Sequence, residues 1–216
     1  IPQNWDELIS LCGEIQEEGI LPFYFGFRDT WTCLAPWNAL AVCLAPADTC
    51  KQVNAGATTF TEQYRETAEK CLELVSYGPD DPFAYGYNDA CTAFANGEAA
   101  MYPIGSYAVP QVLQVNPEMN IDSFPLPASN DVSKNTLNSG VDLMFCVTAA
   151  CEHKEAAYEV LDFLLEDENL QAYIDAQNAV PCKTGDFKLA PQLDGMLSFI
   201  EAGNMTDYQD HYYPSE

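Results

Sequence analysis

Charged side chains stand at two places where the surrounding residues predict buried strands. Asp142 interrupts the apolar run 141–147, and a charge in an otherwise buried strand usually has a partner or a ligand. Arg28 and Asp29 directly follow the apolar run 20–26, where they could bind polar groups of a ligand or simply pair with each other on the surface. These residue types therefore predict a site built on charged hydrogen bonds.

The motifs of familiar catalytic centres are missing from the sequence. The chain has no GxSxG, HExxH, P-loop or GxGxxG pattern. Its two histidines are His153 and His211, and we predict that His153 lies in solvent at a helix start. A retaining glycosidase needs two carboxylates about 5 Å apart, and 33 acidic residues leave room for such a pair. The sequence favours a protein that is not an enzyme, and no cofactor is predicted.

One polar segment partly fits a calcium-binding loop. Asp131, Ser133, Asn135 and Asp142 fall at positions 1, 3, 5 and 12 of an EF-hand. Thr136 stands where that loop requires glycine, and Asp142 stands where it requires glutamate. We interpret the match as chance and predict no metal site.

An excess of acidic residues limits the partners of this chain. Thirty-three acidic residues face eight basic ones among 216, for a formal net charge of −25. Such a field repels polyanions, which argues against nucleic acid and against an anionic lipid surface. No apolar run approaches the roughly 20 residues of a membrane-spanning helix. The simplest interpretation is a solvated acidic surface around an ordinary core, since 48% of the residues are hydrophobic.

Nine cysteines are many for a chain of this size. They form no paired CxxC motifs, so a zinc site is poorly supported. Cys43 and Cys50 are close enough in sequence to close a small loop as a disulfide. Four others lie in apolar patterns and are predicted core residues: Cys12, Cys71, Cys91 and Cys146.

Helix and strand signals alternate along the chain, which is typical of an α/β fold. The first helix is predicted from the capping pair Asn4 and Glu7 and ends at Gly19. Residues 48–60 are predicted as a loop and 77–87 as a connector. The other predicted helices are 29–47, 61–75, 88–96, 105–115, 155–164, 169–176 and 191–202, and the predicted strands are 20–26, 98–104, 120–126 and 141–147.

Residues 88–112, NDACTAFANGEAAMYPIGSYAVPQV, resemble the helix–strand–helix block of family 1 extracellular solute-binding proteins. This class of ABC sugar-importer components includes maltose-binding protein. Gly97 would end the helix in a left-handed conformation, and Gly105 would bring the chain close to a cleft. Further matches follow in family order: IPQNWDELISLCGEIQEEGILPF, FRDTW, NSGVDLMFCV, HKEAAYEVLDFLLEDENLQAYI and NAVPCKTG.

The resemblance implies a type II periplasmic-binding-protein-like α/β fold, represented mainly by its second lobe. That lobe would comprise residues 1–122, with a hinge crossing at 123–126. Residues 127–178 would be an excursion belonging to the first lobe, and 179–216 a third crossover with the return to the second lobe. Because the chain begins at Ile1 without a signal peptide, we interpret it as a fragment or a processed product. The resemblance implies that it lacks most of the first lobe and the C-terminal helices. Its excursion could dimerise to hide an exposed edge.

The resemblance also implies a ligand. A sugar presents an apolar C–H face, on which an aromatic ring stacks, and a hydroxyl edge that charged groups bind. Tyr107 stands where the family often has a cleft aromatic residue, and Trp31 lies in the loop after the first strand, although either ring could instead pack in the core. For the hydroxyl edge the candidates are Asp29, Arg28 and Asp142. Tyr212 falls near a further aromatic wall of the family, or else belongs to a frayed end.

The leading hypothesis is therefore a sugar-binding component that delivers its ligand to the permease subunits of an ABC importer. It would be extracellular, anchored as a lipoprotein in the full-length protein, or periplasmic. With one lobe mostly missing, we expect this chain to bind sugar weakly or not at all. Two alternatives remain open: a secreted carbohydrate-active enzyme domain, and a cell-surface module whose acidic face binds a basic protein.

Overall fold

The fold is that of a mixed α/β protein in a computed structural model, which describes residues 1–141 and 143–213. The α-helices in this part of the chain are α1 (Trp5–Glu17), α2 (Leu34–Leu44), α3 (Thr49–Asn54), α4 (Phe60–Ser76), α5 (Tyr87–Ala95), α6 (Val109–Val115), α7 (Lys154–Leu164), α8 (Asp167–Gln177) and α9 (Leu197–Glu201). The strands are β1 (Leu21–Phe23), β2 (Ala99–Met101), β3 (Leu137–Asn138) and β4 (Met205–Thr206), and 3-10 helices cover Thr30–Cys33, Ser106–Ala108, Val132–Lys134, Pro191–Met196 and Gln209–Tyr212.

Local capping signals place the first helix as predicted. The Asn4 side chain accepts a hydrogen bond from the Glu7 amide at 3.0 Å and donates to the Glu7 carboxylate at 2.7 Å. This satisfies a donor that the first turn of a helix leaves free. Gly19 has φ of +75° and follows the helix end, a conformation that costs glycine little.

The strands pair in parallel. In the first sheet Leu21 lies opposite Ala99, and Phe23 lies opposite Met101. The Tyr24 amide extends the pairing by donating to the Met101 carbonyl at 3.1 Å. The register alternates the side chains of β1 between the two faces of the sheet, so Phe23 enters the main core while Tyr24 packs on the side of α5.

The main core lies between α1, β1, α2 and α4. The Phe25 and Phe27 rings pack there with centroids 4.7 Å apart. Burial of one such side chain stabilises the fold by about 1.5–3 kcal/mol. The buried members of this core are Trp5, Leu8, Cys12, Phe23, Phe25, Phe27, Leu40, Cys43, Leu74 and Ala128.

The predicted loop 48–60 is wrong, because it contains α3. Asp48 precedes this helix, and its carboxylate accepts a hydrogen bond from Gln52 at 2.7 Å. Asp48 occupies the N-cap position, although its side chain does not bond the helix backbone. Such a residue is a start signal in sequence, but here it lies in a segment of small polar residues. The next helix, α4, begins at a full capping box in which Thr59 and Glu62 bond each other reciprocally.

Two predicted strands are also wrong. Residues 120–126 form no strand, and Pro125 among them lacks the amide hydrogen that a sheet ladder requires. Described residues 143–147 form no strand either, and most of their side chains are exposed. A strand needs a neighbour for its backbone groups, and the described residues supply none to this segment.

Several side-chain placements also differ from expectation. Cys146 is exposed rather than in the core, whereas Cys12 and Cys91 are buried as predicted and Cys71 is half-buried. Cys43 and Cys50 are free thiols rather than a disulfide. The Cys43 thiol donates instead to the Ala39 carbonyl of its own helix at 3.4 Å. Leu72 of α4 is 71% exposed, because the face of that helix that packs carries Tyr64, Thr67 and Leu74.

Asn135 joins three separate segments. Its buried side-chain oxygen accepts from the amides of Ala128 and Ser129 at 3.0 and 2.9 Å. Its side-chain nitrogen donates to the carbonyls of Gln3 and Ser129 at 3.1 and 3.0 Å. The position that matched a calcium ligand in the sequence therefore holds a fully bonded structural amide. The boundaries of the two lobes and of the hinge crossing, which the resemblance implies, stay predictions.

Many apolar side chains of α7 and of the segments that flank it in sequence stay exposed. No residue of α7 is buried, although its apolar residues recur at helical spacing. No helix in the described ranges is long and apolar enough to cross a membrane. We use the name α7 surface for these exposed apolar residues of α7 and of the segments that flank it in sequence: Leu143, Met144, Phe145, Tyr158, Val160, Phe163 and Leu165.

We predict that Asn135→Ala lowers the free energy of unfolding by about 2–4 kcal/mol, because buried amides and carbonyls lose their partners. Urea denaturation followed by circular dichroism measures this change. Asn54→Ala, at the exposed end of α3, is the matched control and should change stability by less than about 0.5 kcal/mol. Equal stability of the two variants would show that the Asn135 amide holds nothing together.

Candidate functional site

Three aromatic rings from distant parts of the chain meet on the surface. The Trp31 and Tyr87 ring centroids lie 5.1 Å apart, and each lies 6.2 Å from the Tyr107 centroid. Trp31 remains 47% exposed. We call these three side chains the aromatic cluster, and the sequence-predicted rings Trp31 and Tyr107 both belong to it.

The parallel pairing of β1 and β2 brings these rings together. Because the strands are parallel, their carboxyl ends meet at one edge of the sheet. Trp31 lies on the 3-10 helix that follows β1, and Tyr107 on the one that follows β2. Tyr87 begins α5, the helix that leads into β2, so it starts at that same edge. In open α/β sheets this edge is where ligands bind.

Asp29 fixes the backbone of the cluster. Its carboxylate accepts a hydrogen bond from the Tyr87 amide at 2.7 Å, and a Cβ atom at Gly86 would collide with that carboxylate. The Thr32 hydroxyl lies 2.9 Å from both the Gly26 and the Asp29 carbonyls. These contacts lock the turn that carries Trp31 against the start of α5.

Arg28 pairs with Asp89 rather than with its neighbour Asp29. The Arg28 Nη2 atom lies 2.6 Å from Asp89 Oδ2, and Nη1 donates to the Ala84 carbonyl at 3.3 Å. The two side chains of this ion pair are 59% and 51% exposed. The expected alternative of a mutual Arg28–Asp29 pair is therefore wrong, and each charge is held by a group about 60 residues away in sequence.

Gly105 and Tyr102 complete the support beneath the rings. A Cβ atom at Gly105 would collide with the Tyr107 ring, so glycine lets that ring lie over the backbone. The Tyr102 hydroxyl is buried without a hydrogen-bond partner among the described residues. Burial raises the pKa of both Tyr102 and Tyr87 far above the ordinary tyrosine value. The hydroxyls of these two side chains are therefore neutral hydrogen-bonding groups at physiological pH.

Tyr212 belongs to a different group. Its hydroxyl lies 3.3 Å from Asp207 Oδ2, and His211 Nδ1 lies 3.2 Å from Asp207 Oδ1. The segment is held on α2, where Asn38 donates to the Asp210 carboxylate at 2.8 Å. The expected alternative of a frayed end is therefore wrong for residues 207–213, and the Tyr212 contacts do not join it to the aromatic cluster.

One predicted site residue is not described by the structure, and one ring of the aromatic cluster was not predicted. Asp142 lies outside the described residues. Tyr87 was missed by sequence reasoning, because residues 77–87 were predicted as a connector. Its signal was an aromatic residue directly after Gly86 at the start of a predicted helix, but only the sheet pairing shows that it meets Trp31.

The geometry suits a ligand with an apolar face and a polar edge. An exposed indole ring and two phenol rings can stack against a flat C–H surface. The Arg28–Asp89 pair supplies both a donor and an acceptor at the surface near Tyr87. The described part of the chain has no group of three or more histidine, cysteine or acidic residues that could hold a metal ion.

Comparison with known proteins places the chain in a family. A sequence model of the bacterial extracellular solute-binding proteins matches residues 2–171. The chain therefore belongs to the family of bacterial extracellular solute-binding proteins.

Individual relatives agree with this assignment. A multiple sugar-binding protein of Streptococcus mutans is 26% identical over 189 residues, covering 83% of this chain and 44% of that protein. An ABC transporter extracellular-binding protein of Pyrococcus horikoshii is 22% identical, covering 82% of this chain and 39% of its own length. The chain thus spans less than half the length of these curated relatives.

Solved structures share the fold. The solute-binding protein RafE in complex with raffinose has a TM-score of 0.83 at 23% identity, covering all of this chain and 59% of its own. A sugar transporter of Bacillus licheniformis in complex with stachyose also reaches 0.83, at 20% identity and 58% of its own length. The type II periplasmic-binding-protein-like fold class is confirmed.

We predict that Gly105→Ala displaces the Tyr107 ring, because the new methyl group would overlap it. The near-ultraviolet circular dichroism of the aromatic residues should change, and stability should fall by about 1–3 kcal/mol. Gly13→Ala is the matched control. Gly13 lies inside α1 with open space around it, so that change should leave the spectrum intact and raise stability by about 0.5–1 kcal/mol. An unchanged spectrum for Gly105→Ala would contradict this account.

Proposed function

We propose that the chain is part of the substrate-binding component of an ABC importer, and that the aromatic cluster stacks on a sugar or oligosaccharide. The observation that carries this proposal is the convergence of Trp31, Tyr87 and Tyr107 at the carboxyl edge of a parallel sheet. A relative named for binding multiple sugars, and structures solved with raffinose and stachyose, support a carbohydrate as the ligand.

The charged residues divide into two roles in this proposal. Arg28 and Asp89 are exposed and would hydrogen-bond the hydroxyl edge of the sugar. Asp29, occupied by the Tyr87 amide, would position the rings and contact the sugar with its remaining oxygen. Asp142 and Tyr212 remain predicted ligand-binding residues, the latter on the separate group around Asp207.

The wider assembly is also a proposal. The α7 surface exposes seven large apolar side chains. The curated relatives are more than twice as long as the region they share with this chain. We infer that this surface packs against a further lobe of a longer protein, and that the ligand lies between two lobes that close by hinge motion. The closed form would bind the permease subunits, and the whole would be extracellular, as a lipoprotein, or periplasmic.

Ligand-observed saturation-transfer NMR on the 216-residue chain tests the sugar proposal with raffinose, stachyose and chitin oligosaccharides. Because one wall of the site is present, we expect weak, millimolar binding. Trp31→Ala should weaken binding about 2- to 10-fold, which corresponds to the roughly 0.5–1.5 kcal/mol of one aromatic contact. Tyr158→Ala, which removes an exposed ring on α7, is the matched control and should bind like the parent chain.

Two results would overturn the proposal. Saturation transfer that is the same for Trp31→Ala and the parent chain would remove the aromatic cluster from the site. Release of new reducing ends from the same glycans would show turnover, which favours a carbohydrate-active enzyme over a binding protein.

The α7 surface yields a separate prediction. Replacing Met144, Phe145 and Phe163 together by glutamine should lower the fluorescence of a bound hydrophobic dye such as ANS, because apolar surface is removed. The thermal midpoint should stay the same, since exposed side chains contribute little to stability. Leu8→Ala is the contrasting control and should cost about 2–5 kcal/mol, because Leu8 is fully buried. A large loss of stability in the triple variant would show that these side chains already pack within the chain.

A further inference from the structure

Two thiols, those of Cys33 and Cys71, line the same apolar groove. Cys33 ends the 3-10 helix that carries Trp31, and Cys71 lies on α4. Both line a groove of about 140 Å³ between α2 and α4, and both pack against the main core. The other lining residues are Phe25, Phe27, Pro36, Trp37, Leu74 and Val75.

The register of α2 and α4 places both cysteines on the same side of one contact between these helices. Trp37 of α2 contacts Tyr64 of α4 with ring centroids 5.6 Å apart, and the later residue Ala41 also packs on Tyr64. Since Cys33 meets the far end of α4 in the groove, the helices run antiparallel. From the Trp37–Tyr64 contact, Cys33 lies about 6 Å and Cys71 about 10 Å along the same direction, at 1.5 Å per residue.

The spacing of packed helices suits a covalent link. Helix axes lie about 8–10 Å apart and Cα atoms lie about 2.3 Å from each axis. With the offset of about 4 Å along the helices, the Cα atoms of Cys33 and Cys71 are expected roughly 5–7 Å apart. A disulfide needs a Cα separation of about 4.4–6.8 Å.

We propose that Cys33 and Cys71 form a reversible disulfide that ties the Trp31 segment to α4 under oxidising conditions. The oxidant is a peroxide, since hydrogen peroxide is small enough for the groove. The Cys33 thiolate attacks one peroxide oxygen, the O–O bond breaks, and the leaving hydroxide takes a proton to become water. The Cys71 thiolate then attacks the resulting sulfenic sulfur, forms the S–S bond and expels a second hydroxide as water. Two thiols are oxidised and one peroxide is reduced.

The order of these steps follows from the surroundings of each thiol. Burial raises the pKa of Cys71 to about 12. Burial also raises the pKa of Cys33, although a backbone hydrogen bond opposes the rise. Cys33 stands at the first end of α2, where the helix dipole favours a thiolate, so we expect it to react first. Oxidation should be slow at neutral pH and faster as pH rises, because both thiols must lose a proton.

One consequence concerns the ligand site and rests on the proposed function. Trp31 stands two residues before Cys33 in the same 3-10 helix. The bond would therefore restrict the movement of one ring of the aromatic cluster. The disulfide itself is independent of any sugar binding and is tested without a ligand.

Peptide mapping after peroxide treatment tests the proposal on the full 216-residue chain. The chain is oxidised, free thiols are alkylated, and the protein is digested without reductant. Trypsin leaves Cys33 together with Cys43 and Cys50 between Arg28 and Lys51, so a second digestion with chymotrypsin, which cuts at Trp37, isolates Cys33. We expect a Cys33–Cys71 cross-linked peptide that is lighter than its two parts by two hydrogen atoms and that disappears with dithiothreitol.

Variants and stability distinguish this bond from unspecific oxidation. Cys33→Ser and Cys71→Ser should each abolish the cross-linked peptide, whereas Cys50→Ser, a half-buried thiol on α3, should keep it. Oxidation should raise the thermal midpoint of the parent chain by several degrees and leave Cys33→Ser unchanged, because a cross-link restricts the unfolded chain. The proposal would be overturned if the natively folded, oxidised parent chain yielded Cys33 and Cys71 only as separately alkylated peptides. This test uses the parent chain alone, so it does not depend on whether a variant folds.

Discussion

The parallel pairing of β1 and β2 is the constraint on which the rest of the site depends. A parallel pair requires a long crossover, and here α2, α3, α4 and α5 all lie between the two strands. The carboxyl ends of β1 and β2 then share one edge of the sheet, so the segments that follow the two strands must meet at that edge. A one-residue slip of the register between Phe23 and Met101 would exchange the core and outer faces of the strand. The pairing of these two strands therefore determines where the rings of the aromatic cluster lie.

The two charged residues after β1, Arg28 and Asp29, each connect the end of that strand to α5. An exposed ion pair such as Arg28–Asp89 contributes only about 0–1 kcal/mol to stability. Its value is geometric, because it joins the end of β1 to α5. Asp29 does the same through a hydrogen bond to the Tyr87 amide. The two adjacent charges hold two neighbouring points of one helix, and together they set the distance between Trp31 and Tyr87.

What could be predicted from the sequence was local. The Asn4–Glu7 cap and the left-handed Gly97, with φ of +78°, depend on interactions within one helical turn, and both were predicted. The resemblance supplied the fold class and the choice of Trp31 and Tyr107.

The missed features depend on partners distant in sequence. Tyr87 gains its place only through the sheet, and Asn135 is buried only because Gln3 and Ser129 come to it. The apolar run 141–147 was predicted as a strand from its composition, but a strand exists only when a neighbour satisfies its backbone. Patterns of residue type state that a segment needs a partner, and they leave the partner's identity open.

The helices α1 and α7 differ in whether their apolar faces are covered. Both are amphipathic, yet α1 buries Trp5, Leu8 and Cys12 while α7 buries nothing. No residue of α7 belongs to the main core. A binding site that encloses most of a ligand needs a second wall, and one exposed indole ring covers only one face of a sugar. Under the proposed function, the second wall and the cover of α7 would come from the same further lobe. The ligand would then stabilise the closed arrangement only by the contacts that it gains there, so sugar affinity and lobe closure would be two measures of one free energy.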